Sequence, residues 1–200
     1  MCQYFETIRI EDGKICHLDW HQKRLTETFV HKFTCAKPWD LQEILGEITL
    51  PSQGIHKLKI IYDAQDFTIE ISPYSSKIIN SIGIIESPTL QYPFKSTDRS
   101  ALEIPQEHKV DDVIFTQNGF LTDSSYANLC FMREDKWYTP TTYLLNGTYR
   151  QRLLAQKQIH EDKIHLDDFQ HFTHMAYINA MLPLGRMQWE LSALDLKIIK

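Results

Sequence analysis

The beginning of the chain alternates between two sets of side chains, which is the pattern of a β-strand with two different faces. Tyr4, Glu6, Ile8 and Ile10 alternate with Phe5, Thr7 and Arg9. The Asp12-Gly13 pair that follows is a hairpin turn signal. We therefore expect the protein to open with a strand and a turn.

Beyond the turn, the spacing of the apolar residues changes from that of a strand to that of a helix. Residues 17–34 have apolar positions at helical spacing, and a second helix is expected over about residues 40–48, where Asp40 can act as N-cap. Strand-like runs rich in β-branched residues come next and predict an antiparallel sheet. These runs are 57–63, 67–74 and 77–87.

The second half follows a proline-containing connection at 88–111. Asn118-Gly119 predicts a hairpin, residues 127–140 repeat the strand–turn–strand pattern, and a helix is expected around 148–158. The whole pattern predicts the α+β class with two domains. Their predicted ranges are 1–88 and 93–200, with a linker at 89–92.

Composition excludes several classes of function. The 21 basic and 26 acidic residues give a net charge of -5, which does not favour nucleic-acid or anionic-membrane partners. No apolar stretch approaches about 18 residues, and the N-terminus does not look like a signal peptide, so a cytoplasmic protein is expected. The 7 glycines form no Gly-rich phosphate loop, and the 4 cysteines contain no C-x-x-C pair and should be free thiols.

Considered one at a time, few residues indicate a particular catalytic or binding role. His17 and His21 could face one metal ion, but no third ligand accompanies them, and two exposed helix residues are the simpler interpretation. We therefore predict no metal site. Lys95 lies in a polar loop, where most lysines are merely solvated. Asp123 follows a turn and could simply cap it.

Five short motifs follow one another along the chain and change this picture. They are F-E-T-x-R at 5–9 with H-x-x-R-L at 21–25; K-x-x-x-R at 95–99; Asp111-Asp112 with Gly119, Asp123, Asn128 and Phe131; Thr139-Pro140 with Leu145, Gly147 and Arg150; and N-A-M-L-P at 179–183. In this order they resemble the class IV aminotransferases, the fold type IV family of pyridoxal-phosphate enzymes. The resemblance is strongest to its 4-amino-4-deoxychorismate lyase branch, and the chain looks N-terminally shortened.

The resemblance implies a fold, a cofactor and a set of site residues. The fold would be two-domain and D-amino-acid-aminotransferase-like, with a small N-terminal α/β domain and a larger C-terminal mixed β domain with helices. Pyridoxal 5′-phosphate would form a Schiff base with the catalytic Lys95. The implied cofactor-binding residues are Arg24, Thr148, Tyr149, Asn179 and Ala180 for the phosphate, Asp123 for the pyridine nitrogen and Arg99 near the ring oxygen.

Arg99 and the N-A-M-L-P segment favour a lyase that converts 4-amino-4-deoxychorismate into 4-aminobenzoate and pyruvate, a step of folate biosynthesis. An amino-acid aminotransferase of the branched-chain or D-amino-acid type would use the same lysine, and a non-catalytic family member is a further alternative. The family implies a homodimer with a small amine or amino-acid substrate, and no nucleic-acid or membrane partner.

Simpler roles stay open for several of these residues. Arg24 could be a surface residue pairing with Glu27. Tyr149 and Asn179 could serve packing or the end of a strand.

Overall fold

The computed structural model describes residues 2–34, 36–104 and 108–199. The chain divides into two compact units. The first runs through Ser76 and also includes Phe94–Asp98, and the second comprises Lys77–Pro93 and the chain from Arg99 onward. The domain ranges expected from the sequence differ from these units at residues 77–88 and at Phe94–Asp98, for reasons that lie in the strand pairing described below.

The first unit is an antiparallel sheet with helices packed on one face. Its elements in chain order are β1 (Tyr4–Glu11), β2 (Lys14–Ile15), α1 (Leu18–Lys32), α2 (Leu41–Gly46), β3 (Ile55–Tyr62) and β4 (Phe67–Pro73). The strand order in the sheet is β2-β1-β3-β4.

The helix-facing side of this sheet forms the core of the first unit. Ile8 and Ile10 of β1 pack with Leu58 of β3 and with Leu25 and Phe29 of α1, and all five are buried. Burial of each such side chain contributes about 1.5–3 kcal/mol. This apolar contact fixes α1 on the sheet and thereby orients the polar residues on its buried face.

The second helix begins where the sequence predicts. The Asp40 carboxylate accepts hydrogen bonds from the amides of Gln42 at 2.9 Å and Glu43 at 3.2 Å. Two N–H groups that have no partner within the helix are thereby satisfied, so Asp40 is confirmed as the N-cap of α2.

A short segment far along the chain extends this sheet. Tyr4 of β1 pairs with Ser96 in an antiparallel bridge. The Phe5 amide donates to the Lys95 carbonyl, and the Thr97 amide donates to the Gln3 carbonyl, each at 2.9 Å. This pairing explains why Phe94–Asp98 belongs to the first unit.

The second unit is built around a mixed sheet. Its elements are β5 (Ser81–Glu86), β6 (Asp112–Gln117), β7 (Phe120–Ser124), β8 (Asn128–Arg133), β9 (Lys136–Pro140), α3 (Thr148–Ala155), β10 (His160–Asp162), β11 (His174–Ile178), β12 (Gln188–Glu190) and β13 (Asp195–Ile199). Neighbouring strands follow the order β10, β9, β8, β7, β6, β5 and β13, and β11 pairs with β8 and β12.

Strand β5 departs from the sequence prediction. It was expected to continue the antiparallel sheet of the first half, but it pairs in parallel with β6 and β13. Ile82, Gly83 and Ile84 are all buried. A continuous buried run is typical of a strand covered on both faces in a parallel arrangement. A Cβ at Gly83 would lie 2.3 Å from Ile199 Cδ1, so the Ile199 side chain of the neighbouring β13 covers this position.

The predicted hairpin at Asn118-Gly119 is confirmed. Both residues are left-handed, with φ of 53° and 77°, as a two-residue turn between β6 and β7 requires. A Cβ at Gly119 would lie 2.1 Å from His165 Nε2, so both the φ angle and the space demand glycine.

Among the described residues, Cys2, Cys16 and Cys130 form no disulfide with one another, and Cys35 lies outside those residues. Within the described ranges, no helix combines the length and the apolar character needed to cross a membrane.

Candidate active site

A buried carboxylate lies at the centre of the polar residues of the first unit. Glu6 is 0% exposed. Its Oε1 accepts a hydrogen bond from Arg24 Nε at 2.8 Å, and its Oε2 accepts one from Arg24 Nη2 at 2.5 Å. His21 Nδ1 lies 2.6 Å from the same Oε2. His21 and Arg24 are three positions apart on α1, so both reach one carboxylate from the same helix face.

The charges in this cluster stabilise one another. Burial alone would raise the pKa of Glu6, but the Arg24 guanidinium and the His21 hydrogen bond outweigh it and lower that pKa to about 2. Burial lowers the pKa of His21, although Glu6 opposes the change. The cluster therefore holds a carboxylate and a guanidinium, with an imidazole that favours its neutral form and donates from Nδ1.

Two interpretations from the sequence are wrong here. Arg24 does not lie on the surface beside Glu27, because it is only 8% exposed and pairs with Glu6. Lys23 lies at the surface beside Glu27 instead, with its Nζ 4.0 Å from Glu27 Oε1. His21 is 1% exposed rather than solvated. Within the described residues, no group of three or more His, Cys, Asp or Glu side chains could hold a metal ion.

Lys95 belongs to the same unit as Arg24. Its carbonyl accepts the Phe5 amide, so its backbone is fixed one position before Glu6 on β1. Its Nζ lies 4.5 Å from the centre of the Phe5 ring. Lys95 is half-buried and held against an aromatic ring, which differs from a solvated loop lysine.

Asp123 is the central carboxylate of the second unit. It lies in β7 and is buried. Its Oδ2 accepts hydrogen bonds from the Leu144 and Leu145 amides at 2.9 Å, and its Oδ1 accepts one from Asn128 Nδ2 at 2.8 Å. Burial raises the pKa of Asp123 to about 6 in spite of these donors. It is thus a buried acid rather than a simple turn cap.

The β7–β8 turn (residues 125–127) contacts two other predicted site residues. Arg99 Nη2 donates to the Ser125 carbonyl at 2.6 Å. Asn179 Nδ2 donates to the Tyr126 carbonyl at 3.3 Å. Arg99 and Asn179, which are distant in sequence, are therefore brought to the segment that directly follows Asp123.

Asn128 connects Asp123 with the start of α3. Its Nδ2 also donates to the Leu145 carbonyl at 2.8 Å. A Cβ at Gly147, the N-cap of α3, would lie 2.0 Å from Asn128 Oδ1. The absence of a side chain at Gly147 lets the helix start approach Asn128 and Asp123 closely.

Thr148 and Tyr149 form the first turn of α3, and both are buried. The Tyr149 ring packs among Cys130, Leu153 and Ile178, and its hydroxyl accepts the Leu184 amide at 3.2 Å. The side chain of Tyr149 thus has the packing role that the sequence left open. What it can offer an anion is its main-chain N–H at the helix N-terminus.

Asn179 shapes the loop that carries Ala180. Its Oδ1 accepts the amides of Met181 at 2.8 Å and Leu182 at 3.0 Å. This local turn fixes the backbone around Ala180. The Asn179 side chain is therefore engaged within its own turn and with Tyr126.

The predicted site residues thus fall into two groups, one in each unit. Lys95 and Arg24 belong to the first, and the remaining six to the second. From the sequence we assigned no role to Glu6 or Asn128, and we considered His21 only as a metal ligand, although all three lie inside the motifs of the family resemblance. For Glu6, the sequence does indicate a role. Glu6 shares one face of β1 with Tyr4, Ile8 and Ile10, and a carboxylate on a buried face needs a charged or hydrogen-bonding partner.

The chemical groups of these residues match those that pyridoxal phosphate needs. The cofactor needs an amine for its aldehyde, a cation and N–H donors for its phosphate, and a carboxylate for its ring nitrogen. Lys95, Arg24, the α3 N-terminus and Asp123 supply one of each.

Comparison with known proteins identifies the family. The family model "Amino-transferase class IV" matches residues 95–187. An uncharacterized protein of Haemophilus influenzae is 32% identical over 185 residues, which cover 90% of this chain and 98% of that protein. A Schizosaccharomyces pombe protein named "Putative aminodeoxychorismate lyase" is 40% identical over 133 residues, which cover 62% of this chain and 52% of that protein.

The solved structures agree. The crystal structure of a "putative 4-amino-4-deoxychorismate lyase" from Haemophilus somnus has a TM-score of 0.81 and 28% identity, covering 90% of this chain and 97% of that one. The α+β fold of type IV predicted from the sequence is thereby confirmed, as are the enzyme class and its pyridoxal-phosphate cofactor. The chain belongs to the class IV aminotransferase family of pyridoxal-phosphate-dependent enzymes.

Proposed function

We propose that this chain is a lyase that converts 4-amino-4-deoxychorismate into 4-aminobenzoate and pyruvate. Two relatives carry the name of such a lyase, and the chain matches 97% of the length of one of them. The single observation that supports a working site most strongly is the buried Glu6–Arg24 pair in the unit that also fixes Lys95. A guanidinium held in this way is a preorganised partner for a phosphate.

The first unit would hold the cofactor at two points. Lys95 would bind it covalently through its amine, and Arg24 would bind its phosphate. Glu6 accepts from Nε and Nη2, so it engages one edge of the guanidinium and sets the direction of the whole group. When bound, the cofactor supplies an electron sink for negative charge that develops on the substrate.

The second unit would hold the ring and complete the phosphate contacts. Asp123 would keep a proton on the pyridine nitrogen, and its three donors hold the carboxylate in place for that role. Thr148 and Tyr149 would offer main-chain N–H groups, with Asn179 and Ala180 as a second phosphate contact. Arg99 would lie near the ring oxygen while it donates to Ser125.

In the reaction itself, Lys95 would move the proton at the ring carbon that carries the substrate amino group. This general-base role requires the neutral amine. The loss of pyruvate then makes the ring aromatic.

The test compares Lys95→Ala with Lys14→Ala, an exposed lysine of β2. We expect the wild-type protein with pyridoxal phosphate to show a visible band that borohydride removes, and to release 4-aminobenzoate and pyruvate in equal amounts. Lys95→Ala should lose the band and reduce the rate at least roughly a thousandfold, whereas Lys14→Ala should keep both. Fluorescence of 4-aminobenzoate and a lactate-dehydrogenase assay for pyruvate measure the two products.

Other outcomes would redirect the proposal. Transfer of amino groups from an amino acid to a 2-oxo acid, without 4-aminobenzoate, would replace the lyase by the aminotransferase alternative. A wild-type protein with neither band nor turnover would leave a non-catalytic member.

The homodimer and the cytoplasmic location stay predictions of the family resemblance. Light scattering after size-exclusion chromatography measures the first directly.

A further inference from the structure

Two lysines from different parts of the first unit lie against the same aromatic ring. Lys95 Nζ is 4.5 Å from the centre of the Phe5 ring, and Lys59 Nζ is 5.4 Å from it. The two ammonium groups are therefore no farther apart than the sum of these distances. Even at that upper limit the separation is close to the Debye length of about 8 Å at physiological salt, and both lysines are half-buried, where salt screens charges less than at the exposed surface.

The strand register explains why the two lysines converge. Lys95 lies opposite Phe5 on one flank of β1, and on the other flank β3 pairs Lys59 with Thr7. Phe5 and Thr7 share a face of β1, and paired residues of neighbouring strands project from the same face. Lys95 and Lys59 thus flank Phe5 on one side of the sheet, whereas Glu6 projects to the other.

The remaining charged groups near Lys95 do not cancel Lys59. On the other face of the sheet, Arg24 and His21 of α1 contact Glu6, whose negative charge is already balanced by Arg24. From β4, Glu70 is the residue paired with Lys59. Across the described part of the chain, however, neither Glu70 nor any other carboxylate forms an ion pair with Lys59.

The charge of Lys95 also extends to neighbouring groups. Burial is the main cause that lowers the pKa of His21, and the charges of Arg24 and Lys95 act in the same direction. A positive charge in this region therefore disfavours further protonation nearby.

We propose that Lys59 acts on Lys95 through its positive charge, and that it favours the neutral amine with which Lys95 bonds to an aldehyde. The need for an aldehyde-bonding amine rests on the proposed function. Lys59 is a positioning residue in this scheme, because it acts through Lys95. A second cation beside an amine disfavours the ammonium form, and the effect is strengthened where the groups are partly withdrawn from water.

The test measures the protonation of Lys95 without relying on turnover. The full-length protein, freed of cofactor by dialysis against hydroxylamine, is acylated with acetic anhydride over a range of pH, and the labelling rate at Lys95 is followed by mass spectrometry. Lys59→Met should raise the pH midpoint of Lys95 labelling by roughly half a unit to one unit. Lys59→Arg keeps the charge and should keep the wild-type midpoint.

Lys57→Met is the matched control. Lys57 is two positions away on the same face of β3, opposite Arg9. It should leave the midpoint unchanged, and circular dichroism checks that each variant is folded. The Lys59 shift should also shrink in 1 M salt. Equal midpoints in wild type and Lys59→Met, or the same shift in Lys57→Met, would overturn the inference. A wild-type protein that shows the Lys59 effect but binds no cofactor would contradict only the proposed function.

Discussion

At the scale of single residues, Glu6 is the group on which the first unit's site depends. Removing an ion from water costs several kcal/mol, and that cost is offset only when the partners are well placed. Arg24 provides two hydrogen bonds and His21 a third, all from one helix. Arg24 is thus held in one orientation. Removing Glu6 would leave Arg24 and His21 buried without the carboxylate that both contact.

Replacing Glu6 should therefore be costly. Glu6→Gln leaves the Arg24 guanidinium buried without a counter-charge, and we expect the free energy of unfolding to fall by about 3–5 kcal/mol. Glu11→Gln, on the same strand but 48% exposed beside Arg9, should change it by less than about 1 kcal/mol. Urea unfolding followed by circular dichroism gives both values. A similar small loss for both variants would show that the buried pair is not essential to stability.

The sequence reveals only half of this cluster. Alternation along β1 places Glu6 among apolar residues, which indicates burial. Its partners are 15 and 18 positions away on a helix, and no local pattern indicates which charged residues meet. The family resemblance selected Arg24 as a functional residue but did not identify the carboxylate that holds it.

At the scale of elements, the start of α3 is secured by a residue of β8. Asn128 donates to Asp123 and to the Leu145 carbonyl, while its Oδ1 occupies the space a side chain at Gly147 would need. The Asn128 side chain thus contacts both Asp123 and the segment that leads into Thr148, the predicted phosphate contact.

Gly147→Ala tests this connection. The φ of Gly147 is −61°, so alanine is tolerated by the backbone and only the contact with Asn128 is changed. Displacing Asn128 should lower the free energy of unfolding by about 1–3 kcal/mol, whereas Gly46→Ala in α2, with open space around it, should be neutral or slightly stabilising. In an Asn128→Ala background the cost of Gly147→Ala should decrease, as a double-mutant cycle would measure. Strict additivity would show that the contact does not link the two residues.

The sequence correctly predicts those elements that are formed by interactions between residues close together in the chain. The Asn118-Gly119 hairpin and the Asp40 cap depend on neighbouring residues, and both were predicted. The pairing of β5 with β6 and β13 depends on residues about 30 and more than 100 positions away. Periodicity identifies β5 as a strand but does not select its sheet.

At the scale of the whole molecule, the two central carboxylates respond to pH in opposite ways. Glu6 has a pKa of about 2, below its ordinary value, so its contribution to stability is present above pH 4.5 and is lost as pH falls towards 2. Asp123 has a pKa of about 6, above its ordinary value, so its contribution is present below pH 3.8 and is lost as pH rises through 6.

Variants separate the two contributions. The cost of Glu6→Gln should shrink as pH falls from 4.5 to 2, and Asp123→Asn should gain stability relative to wild type as pH rises from 4 to 6, each by up to about 3 kcal/mol. Urea unfolding at a series of pH values measures both differences. A difference that stays constant with pH would show that the group in question titrates alike in the folded and unfolded chain.

The ladder between β1 and Lys95 also sets an order of events during synthesis. The Thr97 hydroxyl and the Gln3 carbonyl that accepts its hydrogen bond are 94 positions apart. A contact of such long range is slow to form, and an unpaired strand edge invites pairing with other chains. The first strand therefore leaves the ribosome with its edge exposed for as long as nearly half of the protein takes to be made. Arrival of the lysine segment closes that edge and fixes the backbone of Lys95 beside Phe5 in one step, so protection of the edge from aggregation begins when the lysine takes its position.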